Sequence, residues 1–94
     1  MPYKVKGAWF GNPPATMGIS QDVTQKVKGI LPAVITFPYY LNITHINLGN
    51  DPIEDIRKEL LIILEDTETG EQYIPSFRFI EDNYANRLIH IIFP

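Results

Sequence analysis

Asp51-Pro52-Ile53-Glu54-Asp55-Ile56-Arg57-Lys58-Glu59-Leu60-Leu61-Ile62-Ile63-Leu64-Glu65-Asp66 is the stretch that decides the fold, because its two halves point to different structures. The front half carries helix-start signals: an aspartate able to cap, a proline at the first helical position and an acid in the first turn. Ile53, Ile56, Leu60 and Ile63 extend that helical spacing. The back half holds five apolar residues in a row, Leu60 to Leu64. A helix made of such a block has no polar face, whereas a central strand buried on both faces accommodates it. The reading is one helical turn near 52–57 followed by a strand over 59–66. The alternative is an α+β chain with a helix over 52–64.

Working outward, Asp66-Thr67-Glu68-Thr69-Gly70 supplies a hairpin loop with glycine where a bulged connection needs positive φ. The return segment 71–80, rich in Tyr, Ile and Phe, completes the hairpin. Glu81 to Asn86 is polar and turn-forming, and Arg87 to Phe93 reads as a last strand. Upstream, Tyr3 to Phe10 alternates apolar and basic residues with period two, placing Tyr3, Val5 and Trp9 on one pleated face. Gly11 to Gly18, with Pro13 and Pro14, is a loop. Val23, Val27 and Ile30 recur at helical spacing behind Ser20 and Asp22 as cap candidates, which favours a short helix. Ala33 to Phe37 reads as a strand ended by Pro38. Tyr39 to Leu48 reads as another, with Leu41, Ile43 and His45 on one side and Thr44, Ile46 and Leu48 on the other. About six short strands and one or two helical turns predict an all-β chain, a small antiparallel β-sandwich or open barrel forming a single domain over 1–94.

Composition narrows function mostly by exclusion. With 45% hydrophobic and 20% charged residues among 94, the chain can bury a core and general disorder is not expected. The lack of cysteine excludes disulfides, thiolate nucleophiles and sulfur-ligated metals. No apolar run has signal-peptide or membrane-spanning length, so a cytoplasmic protein without membrane insertion is expected. The net charge of -3 is uneven: residues 1–50 carry Lys4, Lys6, Lys26 and Lys28 against Asp22, while residues 51–94 carry ten acids against four bases. Those lysines read as isolated rather than as a dense run, so nucleic-acid binding is not expected.

No cofactor or metal is implied. His45 and His90, the two histidines, lie inside predicted strands and read as structural. Ser20 and Ser76 lack a nucleophile elbow. The acids at Glu54-Asp55, Glu65-Asp66-Glu68-Glu71 and Glu81-Asp82 border turns and read as solvated loop ends, without the spacing of a calcium loop. Asn42-Ile43-Thr44 matches a glycosylation sequon by chance in this setting. Aromatic rings are the more informative feature. Phe10 and Phe37 read as core, whereas Trp9, Tyr39, Tyr40 and Tyr84 are candidates to stack on a sugar or to anchor a protein partner. The leading expectation is thus a non-enzymatic binding or assembly module. A small hydrolase or isomerase using Glu65 or Asp82 with His90, and an accessory or structural subunit, are the alternatives. An open strand such as Leu88 to Phe93 could also pair with its own copy, giving a homodimer.

Trp9-Phe10-Gly11, Asp22-Val23-Thr24 with Val27, Asn47-Leu48-Gly49-Asn50-Asp51-Pro52 and Lys58-Glu59-Leu60-Leu61-Ile62 follow the order of a module with Tyr-Gly, Asp-Val-Thr, Gly-Asp-Pro and Lys-x-Leu motifs. In that order the chain resembles the C-terminal domain of a mitochondrial DnaJ-like protein and its stand-alone microbial copies. Phe10 stands for the usual tyrosine, Asn50 is inserted and the spacer to Lys58 is longer. The resemblance implies a β-sandwich-like fold in which the Asp-Val-Thr and Gly-Asp-Pro segments are turn and cap elements. It implies no catalytic residue.

Overall fold

The computed structural model describes residues 2–16, 20–49, 57–82 and 88–94. In chain order these form β1 (Pro2–Gly11), β2 (Gln21–Asp22), α1 (Thr24–Ile30), β3 (Ile35–Thr36), β4 (Tyr39–Thr44), β5 (Glu59–Asp66), β6 (Phe77–Ile80) and β7 (Leu88–Phe93). A 3₁₀ turn covers His45–Leu48. All strand pairings are antiparallel. β6, β5 and β1 lie side by side, and β2 and β3 both pair with the free edge of β1 at its opposite ends. β4 and β7 make a separate two-stranded sheet. Among the described residues the fold is therefore small, mostly antiparallel and all-β, with two sheets and no closed barrel.

The apolar block resolves as strand. In β5, Leu60, Ile62 and Leu64 point to the core, where they face Phe10, Ala8 and Val5 on β1, and Phe79 and Phe77 pair with Leu60 and Ile62 from β6. Leu61 is buried on the opposite face, flanked across the strands by Trp9 and Arg78. Burial on both faces explains why no polar alternation shows there. The helical alternative over 52–64 fails from Glu59 onward; its front half, like the helical turn near 52–57, falls largely outside the described residues.

Strict alternation in β1 would put Trp9 beside Tyr3 and Val5. A bulge at Lys6 and Gly7, which together oppose Ile63, inserts one residue and reverses the facing of the strand beyond it. Tyr3 and Val5 point inward before the bulge, Ala8 and Phe10 after it, and Trp9 turns outward. The bulged backbone is also tied to α1: Val23 N–H donates to Ala8 O at 2.9 Å, and Ala8 N–H donates to Thr24 Oγ1 at 3.0 Å. Val23, Val27 and Leu31 then lie on the core side of the helix.

Both sheets contribute to one apolar core. Ile43 on β4 and Ile89, Ile91 and Phe93 on β7 join the residues of β1 and β5 in it. Rings span the two sheets: Phe77 meets Phe93 edge-on with centroids 4.9 Å apart, and Phe37 stacks between Tyr3 and Phe93 at 4.8 and 5.8 Å. Phe10 and Phe37 are thus core residues, as expected.

Three local expectations need correction. β4 ends at Thr44, and the residues expected to continue it to Leu48 form the 3₁₀ turn, where Asn47 Oδ1 accepts Thr44 N–H at 3.1 Å. The segment 71–76 is not a continuous strand. Ile62 pairs with Phe77 but Glu65 bridges Gln72, so the return side carries two extra residues and Ile74 loops outward, 80% exposed. β3 is shorter than the run Ala33 to Phe37. The hairpin turn itself is as read. Gly70 has φ +75°, and Asp66 Oδ1 accepts the N–H groups of Glu68 and Thr69 at 2.7 and 3.2 Å.

Candidate functional site

The four aromatic candidates do not form one surface. Tyr39 faces inward and stacks on Phe93, with centroids 6.4 Å apart. Its neighbour Tyr40 faces outward, 59% exposed, opposite Ile92 at 53%. The Tyr40 hydroxyl lies 3.2 Å from His90 Nδ1. Trp9 stands on the outward face of the larger sheet, whereas Tyr40 stands on the outward face of the smaller one. Tyr84 is outside the described residues. Trp9, Tyr39 and Tyr40 belong to strands rather than loops.

Trp9 is the ring set in a concavity. Lys6, Asp22, Val23, Thr24, Gln25, Lys26 and Lys28 line the same depression, of about 610 Å³. The bulge turns the indole out, and Gly7 gives it a place to rest: a β-carbon at Gly7 would come within 2.6 Å of Trp9 Cζ3, so only a hydrogen fits beneath the ring. The half-buried indole is thus held against backbone instead of swinging in solvent. Across the strand, Leu61 supports it from β5.

Polar groups around the ring are ordered from the α1 side. Asp22 Oδ1 accepts Thr24 N–H at 2.9 Å, leading the chain into the helix, although neither Ser20 nor Asp22 occupies the cap position itself, which is Val23. Hydrogen bonds from the Thr24 hydroxyl and then the Thr24 N–H favour the charged form of Asp22, holding its carboxyl below the ordinary 3.8. Lys26 Nζ donates to Leu48 O at 3.4 Å. A second depression of about 240 Å³, lined by Lys4, Val5, Lys28, Pro32 and Ala33, adjoins the first through Lys28.

Several ionisable groups elsewhere are committed to structure. Lys58 and Glu81 form a buried pair at 3.5 Å, with side chains 1% and 2% exposed, and Glu81 Oε1 also accepts Lys58 N–H at 2.8 Å. Glu59 Oε1 accepts Ala15 N–H at 3.2 Å and pairs with Arg78, which donates to Ala15 O at 2.7 Å. These contacts pin the loop after β1 over the sheet. Glu65 pairs with Lys4 at 3.4 Å across β1 and β5, while His90 belongs to the other sheet. Among the described residues no three His, Cys, Asp or Glu side chains converge as a metal site, and no helix is long and apolar enough to cross a membrane.

The lysines are what sequence reading missed. Lys4, Lys6, Lys26 and Lys28 look isolated along the chain, yet all four border the two adjoining depressions. The available signal was that Lys4 and Lys6 share one strand face and that Lys26 and Lys28 share one short helix; the pairing of β2 with β1 immediately before that helix brings the two sets together. Comparison with protein-family models, curated proteins and solved structures finds no match.

Proposed function

We propose that this chain is a non-enzymatic binding module whose contact surface is centred on Trp9. One observation carries the reading: the single tryptophan is turned outward by a bulge, seated on Gly7 and surrounded by Asp22, Thr24 and Gln25 in a depression of about 610 Å³. A flat ring edged by hydrogen-bonding groups suits a sugar ring or a protein side chain presented from solution, and the volume falls within the range of about 300–1,000 Å³ usual for ligand sites. The DnaJ-like resemblance adds no activity to this reading.

The test is Trp9→Ala, with folding checked by circular dichroism, on a glycan array and in a pull-down. Loss of a wild-type signal supports the reading. A folded variant with undiminished binding defeats it.

The exposed Tyr40–Ile92 pair favours a second reading, assembly of two copies through the outward face of β4 and β7. Light scattering that gives a dimer for the native chain and a monomer for I92K supports it; a monomeric native chain ends it.

A further inference from the structure

We infer that the Trp9 depression selects an acidic oligosaccharide, one bearing carboxylate or sulfate groups, over a neutral one; this rests on the binding-module reading above. Three lysines, Lys6, Lys26 and Lys28, line it against a single acid, Asp22, in a chain whose overall charge is negative. Lys26 is drawn toward Leu48 O, and Asp22 is already engaged by Thr24. Lys6 and Lys28 are exposed and make no ion pair among the described residues. Two ammonium groups with no ion-pair partner among the described residues stand beside an aromatic platform, and an anionic ligand supplies that partner.

The mixture of groups separates a saccharide from a nucleic-acid strand. Single strands are held by successive stacking rings along a basic groove, and here the one indole lines the larger depression while the residues lining the smaller one include no aromatic ring. Asp22, Thr24 and Gln25 beside that indole can accept from or donate to the hydroxyls of a sugar ring. Lys28 borders both depressions, so a ligand longer than one ring runs from Trp9 past Lys28 toward Pro32 and Ala33. The site thus fits a short acidic chain, with one ring on Trp9 and its charges between Lys6 and Lys28.

The sole tryptophan is its own reporter. Full-length protein is titrated, with Trp9 emission followed, with a sulfated hexasaccharide, an oligouronate of the same length, a neutral cello-hexaose and a single-stranded DNA 12-mer. The expected result is a saturable emission change with the sulfated or uronate probe that weakens as salt is raised. The double variant K6Q/K28Q, substituted only at exposed positions, binds that probe about fivefold more weakly or worse, as loss of two surface charge contacts implies. Equal binding of cello-hexaose, or unchanged affinity in K6Q/K28Q, overturns acidic selectivity while leaving the Trp9 site standing. Binding of DNA alone overturns the saccharide assignment. No emission change with any probe overturns this inference, whereas the site reading fails only if Trp9→Ala also leaves array and pull-down binding unchanged.

Discussion

Replacing Lys58 by methionine is the sharpest test of how the region beside β5 is held. The Lys58 and Glu81 side chains are 1% and 2% exposed and sit 3.5 Å apart. Glu81 Oε1 is bonded to Lys58 N–H, and Glu81 Oε2 has no hydrogen-bond partner among the described residues. In K58M the backbone N–H remains, and among the described residues it is the single donor left to the buried carboxylate. Breaking a buried pair from one side costs about 3–5 kcal/mol, a large part of the 5–15 kcal/mol typical of a domain. With a urea slope of about 1–3 kcal/mol per molar, the midpoint falls by at least about 1 M. Adding E81Q removes the stranded charge and keeps an amide oxygen for the Lys58 N–H, so K58M/E81Q recovers roughly 1–3 kcal/mol. Urea melts followed by far-ultraviolet circular dichroism give all three values. The reasoning is refuted if K58M costs less than about 1 kcal/mol or if the double variant is no more stable than K58M.

Three other outcomes follow from the geometry. Phe93→Ala removes a fully buried ring that meets Phe37, Phe77 and Phe79, and should cost about 3–5 kcal/mol in thermal or urea unfolding; a loss under 1 kcal/mol would mean the two sheets are not joined through these rings. Gly7→Ala places a methyl group where the indole rests, so the Trp9 emission maximum should shift while the fold persists; unchanged emission would contradict that seat. The Asp22 carboxyl should titrate below 3.8 by NMR and return toward it in T24A. Because folding lowers that pKa, its stabilising contribution is present above the unfolded value and disappears as pH falls through the folded one.

The strand over Leu60 to Leu64 was readable because five consecutive apolar residues exclude a solvated helix face, and the Gly70 turn because positive φ has few occupants. The facing of Trp9 was not readable. Period-two alternation assigns it to the core, and a single bulge at Lys6 and Gly7 reverses it; the isolated glycine inside the strand run was the one residue-type hint of that bulge. Tyr39 and Tyr40 could be told apart only through pairing with Phe93 and Ile92. The extension of β4 failed because Asn47 offers its side chain to Thr44 N–H, a local bond that competes with a strand ladder. The gathering of Lys4, Lys6, Lys26 and Lys28 depends on β1 and α1 lying side by side, a tertiary fact that charge spacing along the chain does not contain.

The central claim is that Trp9 is a contact residue, and titrating the native chain with the sulfated hexasaccharide while following its one tryptophan tests this most directly. The expected result is a saturable, salt-sensitive change in emission that K6Q/K28Q weakens. A flat titration, together with undiminished array and pull-down binding by folded Trp9→Ala, would contradict it.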